Sequence, residues 1–175
     1  MVDILSALGA TKHMPLNTTT VASTGTTYWN DTEPTSTVFS VGSQDETNGT
    51  GTMIAYCFAN RKGYSNFGSF FGNSSNDGPF LYTGFRPNCM IIRGATTGEN
   101  WMIFGYAPPY NLIDKYLQID TNVADMTNIA PGDFCSNGFK IRDDDNKINE
   151  GNTYVYAAFA EFPIVSSNSK PGVAR

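Results

Sequence analysis

Charge is scarce in this chain. Asp, Glu, Lys and Arg make up 15% of its 175 residues, too few to furnish the solvated faces of a helical bundle. Thr, Ser, Asn and Gly stand in their place, a balance that favours strands joined by turns. Basic residues are scarcer still, 11 against 16 acidic ones. The positive field that a phosphate backbone requires is missing, which argues against a nucleic-acid partner. No apolar run approaches the roughly 20 residues of a membrane-crossing helix, so no membrane insertion is expected. The opening Met1-Val2-Asp3-Ile4-Leu5-Ser6-Ala7-Leu8 has no basic stretch and no cleavage site of a secretory leader, so synthesis in a cytoplasm is expected.

Chemistry-bearing residues are few as well. His13 is the sole histidine, and no Gly-x-Ser-x-Gly nucleophile elbow occurs, so a Ser-His-Asp or Cys-His device has little to be built from. No enzyme activity and no cofactor are expected. Cys57, Cys89 and Cys135 are odd in number and fit no short metal spacing; they read as reduced, mostly buried thiols. The acids Asp143-Asp144-Asp145 with Glu150 could form a carboxylate pair for glycoside cleavage. Asp143 and Asp145, with Asn146 or Asn149, could offer oxygen ligands to calcium. The simpler reading of this acidic run is a solvated hairpin loop without metal.

What is present suggests one all-β domain, an antiparallel β-sandwich, since 175 residues suffice for a single core that hides roughly 70% of the unfolded surface. Residues 1–15 form an N-terminal arm, 16–165 the sandwich, and 166–175 a polar, breaker-rich tail. In the arm, Val2, Ile4, Leu5 and Leu8 could make one helical turn that either attaches to a partner or tucks onto the domain's own core. Short apolar runs bounded by Gly, Pro, Asn and Asp predict strands near 36–42, 52–59, 79–84, 88–93, 101–106, 115–119, 137–142 and 153–162. In 52–59 and 153–160 nearly every position is apolar, as expected of central strands covered on both faces. Turns are predicted at Asn48-Gly49, Asn76-Asp77-Gly78-Pro79, Asn137-Gly138 and Asp144-Asp145-Asn146. The Gly-rich stretch from Gly63 to Gly78 lacks a Gly-Lys-Ser/Thr ending and reads as an aromatic-rich connecting loop.

The sequence also echoes itself. Phe39-Ser40-Val41 returns as Phe139-Lys140-Ile141, and Asn48, Thr52, Phe58 and Ala59 return as Asn149, Thr153, Phe159 and Ala160, so two related β units share the chain. The first unit lacks the opening strands that the second shows at 79–106.

Several of these strings together resemble the distal β-domains of phage tail spikes and tail fibres: Tyr28-Trp29-Asn30-Asp31-Thr32-Glu33-Pro34, Ile54-Ala55-Tyr56-Cys57-Phe58-Ala59, Lys62-Gly63-Tyr64-Ser65-Asn66-Phe67-Gly68, Asp77-Gly78-Pro79-Phe80-Leu81-Tyr82-Thr83-Gly84-Phe85-Arg86-Pro87, and Tyr156-Ala157-Ala158-Phe159-Ala160-Glu161. The resemblance runs from about residue 17 to 163. It implies a β-sandwich in a phage virion and carries no catalytic signature. Without a shaft ahead of it, the domain is expected to act as a free-standing subunit, by analogy a capsid cement or decoration protein on the outer capsid surface. The expected partners are the major capsid protein and further copies of the chain in a homotrimer, with Val2, Ile4, Leu5 and Leu8 as contact residues. The alternative is a tail module that binds a host surface glycan through Tyr64, Phe67, Asn73, Tyr106, Tyr110 and Asn111. The aromatics would stack on sugars and the amides would bond hydroxyls. Trp29 and Trp101 could also offer faces, though Trp101-Met102-Ile103-Phe104 reads as a buried strand.

Overall fold

A computed structural model describes residues 5–105, 113–127 and 130–162 of the chain. The described elements are, in order, α1 (Leu5–Leu8), β1 (Lys12–His13), β2 (Ser23–Thr24), α2 (Thr26–Trp29), α3 (Asp45–Asn48), β3 (Ser65–Phe71), β4 (Phe80–Tyr82), β5 (Pro87–Gly94), β6 (Met102–Phe104), β7 (Lys115–Gln118), β8 (Met126–Thr127), β9 (Gly132–Cys135), β10 (Gly138–Ile141) and β11 (Thr153–Ala160). The fold is all-β and antiparallel throughout. A six-stranded sheet runs β3-β11-β5-β6-β7-β8, and a three-stranded sheet runs β4-β10-β9.

Side chains of a strand alternate between faces, and the register turns that alternation into two cores. Ala158 lies opposite Met90, and Met90 opposite Phe104; Tyr156 lies opposite Ile92, and Ile92 opposite Met102. These rows point toward the small sheet and meet Leu81, Phe134, Phe139 and Ile141 in the main core. Phe139 stacks on Phe104 at 6.1 Å between ring centres and tilts against Phe134 at 5.3 Å. The opposite face carries Phe67, Ala157 and Ile91 in one row. Above it Val155, Trp101, Ala95 and Met14 form a second, smaller core, with Ala7, Leu8, Leu16 and Ala22 packed around it. Both faces of β11 are therefore covered, which is why 153–160 is apolar at almost every position.

Six of the predicted strands correspond to β4, β5, β6, β7, β10 and β11, and β9 and β10 join through the two-residue turn Ser136-Asn137. Three expectations need correction. Residues 65–71, read as loop, form β3. That strand has no β-branched residue, and its Gly68 is there for space: a Cβ at this position would lie 3.0 Å from the Tyr156 hydroxyl oxygen and 3.1 Å from ring carbons. Residues 36–42 and 52–59, read as strands, join no ladder. Their sequence is apolar, but a strand needs a neighbour for its backbone groups, and no described segment supplies one here. The first of the two sequence-related units is consequently an open meander of short helices and turns rather than a second sandwich.

Candidate functional site

The N-terminal segment is held to the large sheet by a buried cation. Arg93 of β5 is fully buried. Its three nitrogens each donate to a backbone carbonyl: Nε to Glu99 at 3.0 Å, Nη1 to Pro15 at 3.1 Å, and Nη2 to Thr20 at 2.6 Å. The guanidinium lies over the Trp101 ring, 5.2 Å from its centre, and Trp101 Nε1 donates to the same Pro15 carbonyl at 2.9 Å. Burial lowers the Arg93 pKa, while Asp120 nearby opposes that shift. Arg suits the place because its planar fork can address several acceptors at once, whereas an ammonium is a point charge. The cation thus clamps 15–20 onto the sheet, and Ala7 and Leu8 of α1 pack on the second core beside it. Of the four arm residues predicted to meet a partner, Leu8 is spent on the domain's own core, Leu5 belongs to α1, and Val2 and Ile4 lie outside the described residues.

The residues predicted to touch a glycan are not gathered into one cluster among the described residues. Tyr64 is exposed in the turn before β3, and its carbonyl accepts from Ala160 N at 2.8 Å. Phe67 packs edge-on against Phe159 at 5.7 Å and is tilted against Phe58 at 5.9 Å. Asn73 serves the fold: its backbone N–H donates to Asn149 Oδ1 at 2.9 Å, its Oδ1 accepts from Asn149 Nδ2 at 2.9 Å, and its own amide donates to the Asp77 carbonyl at 3.0 Å. Asn149, fully buried, also donates to the Ser75 carbonyl at 2.7 Å and so ties the 73–77 turn to the chain ahead of β11. Tyr106, Tyr110 and Asn111 lie outside the described residues. Trp101 is buried, as its strand-like surroundings implied.

The acidic run between β10 and β11 folds on itself. Asp143 Oδ1 accepts from Asp145 N at 3.1 Å, and Asp145 Oδ1 accepts from Lys147 N at 2.8 Å and Lys147 Nζ at 3.2 Å. Among the described residues no group of three or more His, Cys, Asp or Glu side chains is placed to hold a metal ion. Tyr154 closes this loop from below, donating to the Asn146 carbonyl at 2.5 Å and accepting from Glu150 N at 2.9 Å. Burial pushes its phenol up to about 12, which keeps the hydroxyl proton in place. His13 is also buried, stacked on Tyr28 with ring centres 3.5 Å apart, and its Nδ1 has no hydrogen-bond partner among the described residues.

The feature that sequence reasoning missed is an exposed apolar surface. Val38, Phe39 and Val41 face solvent, as do Met53, Ile54, Tyr56 and Phe58, with Ile54 77% and Tyr56 81% exposed. Cys57 between them is exposed too, contrary to the expectation of buried thiols, while Cys89 and Cys135 are partly buried. Both stretches echo strands of the second unit, and an echo of a strand without its flanking strands is the signal in the sequence that points to this surface.

A family model described as Domain of unknown function (DUF7483) matches residues 1–163. The chain belongs to that family. The match begins with the arm and ends just past β11, so the clamp at Arg93, both sheets and the exposed 38–58 meander all lie within the family's span. No curated protein and no solved structure matches the chain.

Proposed function

We propose that this chain is a bacteriophage virion structural protein that decorates the outer capsid surface and binds the major capsid protein and copies of itself, as a trimer. The observation that carries the reading is the exposed apolar meander at 38–58 on an otherwise well-packed β-sandwich. Scattered surface apolars need no explanation, but a concentrated set of this kind marks an interaction surface. The resemblance of residues 17–163 to phage tail-spike and tail-fibre β-domains supports a virion setting. The clamp at Arg93 engages residues 7–22 with the sheet, which leaves the meander as the surface offered to partners. Multivalent seating of several copies turns modest contacts into a firm one.

A second reading, a receptor- or glycan-binding tail module, draws on a different surface. Phe80 and Tyr82 of β4 and Tyr64 before β3 are exposed aromatics of the type that stack on sugar rings. Immunogold labelling of purified phage particles, with copy number from gel densitometry, separates the two. Label over the head, in numbers comparable to the capsid subunits, is expected. Label confined to the tail tip overturns decoration in favour of the tail module, and absence from the particle overturns both.

A further inference from the structure

We infer that residues 52–59 are an unpaired strand that completes its ladder with a second copy of this chain. The inference deepens the proposed function, on which it rests for the role of self-association: it assigns the exposed meander to the contact between copies, and its test does not depend on whether the protein sits on a capsid or a tail.

The segment Thr52-Met53-Ile54-Ala55-Tyr56-Cys57-Phe58-Ala59 matches β11, Thr153-Tyr154-Val155-Tyr156-Ala157-Ala158-Phe159-Ala160, at both ends and in its apolar content. β11 is flanked by β3 and β5 and is buried over most of its length. Residues 38–41 likewise echo β10, the middle strand of the small sheet. The first unit thus holds counterparts of the central strands of both sheets and none of the strands that flank them. A segment with this sequence and no neighbour leaves a row of backbone donors and acceptors and two apolar faces in water.

The region is already arranged for pairing. Arg61 and Ser65 form a bridge, with Arg61 N donating to the Ser65 carbonyl at 2.9 Å and Ser65 N to the Arg61 carbonyl at 3.0 Å. Beyond that bridge no backbone ladder follows. Instead Asn60 covers the outer edge of β3 with its side chain, its Oδ1 accepting from Phe67 N at 2.6 Å and its Nδ2 donating to the Phe67 carbonyl at 3.4 Å. The side-chain amide takes the place of a strand's peptide. Only the end of the segment leans on β3, with Phe58 against Phe67 and Phe159 and the Ala59 carbonyl accepting from Ser65 Oγ at 2.8 Å, and 52–57 are left, among the described residues, without a partner strand for another molecule to supply.

Size selects the occupant. The exposed side chains of Val38, Phe39, Val41, Met53, Ile54, Tyr56 and Phe58 together present on the order of 800 Å², the share one partner contributes to a standard stable interface. A single peptide added to an edge would cover one strand's backbone and leave most of those side chains wet. A second copy brings an identical strand and an identical apolar set, so the surface is self-complementary about a two-fold axis, which joins copies in pairs and leaves the threefold contact of the proposed trimer to another surface.

The test uses the full chain in dilute and concentrated solution, without capsids. Light scattering gives the mass, and hydrogen exchange followed by mass spectrometry reads the amides of 52–59. The expected result is mass above the 19.1 kDa of one chain, with protection of 52–59 that grows with concentration. Ile54→Asp, at a position that is 77% exposed and so dispensable for the fold, should weaken association by about tenfold or more, because the carboxylate would be desolvated unpaired. Val123→Asp, at an exposed apolar position elsewhere, should leave association unchanged. A monomer at every concentration overturns the inference. So does protection of 52–59 that is independent of concentration, which would mean closure onto the chain's own β3 edge. Association equally strong in Ile54→Asp overturns it as well. Since no virion is involved, failure of capsid labelling leaves this result untouched, and the reverse holds too.

Discussion

Replacing Arg93 by Met is the perturbation with the most direct consequence for the arrangement described here. Met fills the path of the stem but ends where Nε lies, so a small gap is left beside Trp101 in place of the guanidinium, and the effect combines that gap with the lost polar contacts. The Pro15 carbonyl keeps its bond from Trp101 Nε1, but the carbonyls of Thr20 and Glu99 lose the donors that reached them at 2.6 and 3.0 Å. Leaving a fully buried acceptor unsatisfied costs about 1–3 kcal/mol, and these two fall toward the low end because Thr20 is exposed and Glu99 half-buried. Part of this is offset because the folded state no longer holds a desolvated charge. A net loss of about 2 kcal/mol follows, which for a domain of this size lowers Tm by roughly 4–8 °C. The loss should be local in origin: the 12–24 segment loosens first and trypsin gains access to the bond after Lys12. Arg93→Lys keeps the charge but not the fork, and should recover only part of the loss. Thermal unfolding followed by circular dichroism, together with timed tryptic digestion, gives both readouts. A Met variant that melts within about 1 °C of the parent, less than the shift expected for a change of 1 kcal/mol, and shows no new cleavage at Lys12 would refute the clamp.

Other outcomes follow from the same geometry. Gly105 has φ +84°, and a Cβ there would lie 1.9 Å from the Asn88 carbonyl oxygen, so Gly105→Ala should be strongly destabilising, by about 3 kcal/mol or more, in urea unfolding. Burial holds the His13 pKa below 6.5, with Glu46 pulling weakly the other way. The unfolded chain therefore takes up a proton first as pH falls through 6.5, and stability should decline between that value and the depressed folded one. His13→Gln should flatten this slope in Tm measured from pH 7.5 to 5.5; an unchanged slope would assign the effect elsewhere, since Glu46 and Asp77, whose pKa values lie below 4.5 and 3.8, titrate only at more acid pH. In dilute native protein a thiol reagent should modify Cys57 first and Cys89 last, because burial raises the Cys89 pKa and shields it. Peptide mapping after partial labelling reads the order.

The strands that could be recognised in advance are those whose partners lie within the chain. β5, β6, β10 and β11 carry alternating or doubly apolar runs, and their turns at Asp77-Gly78 and Asn137-Gly138 bear the residues such turns require. β3 escaped notice because Ser65, Asn66, Gly68 and Ser69 were selected for what lies against them, Tyr156 and Phe159 above all, and not for strand propensity. Residues 52–59 misled for the opposite reason: propensity and pattern are local, while pairing depends on a neighbour. Arg93 gave no signal, since one cation in the middle of Met-Ile-Ile-Arg-Gly acquires its meaning only when Pro15, Thr20 and Glu99 are brought around it from separations of 6 to 78 residues. The arm's division between attachment and self-packing could not be decided from Val2, Ile4, Leu5 and Leu8 alone, and it is the buried guanidinium that settles residues 7–22 on the sheet.

The position of β11 bears on how the protein is made. It is made after every other described strand, yet it occupies the gap between β3 and β5, which pair with it and not with each other. Until residue 160 has emerged, the large sheet is two fragments with raw edges, and the apolar 52–59 stretch has long been in the open. The large sheet must therefore wait for this late-made strand, and it closes through distant contacts that form slowly. A chain shortened by even half of β11 should yield no smaller stable form but aggregate outright, so the C-terminal boundary, more than any surface residue, decides whether a recombinant version of this protein is obtained at all.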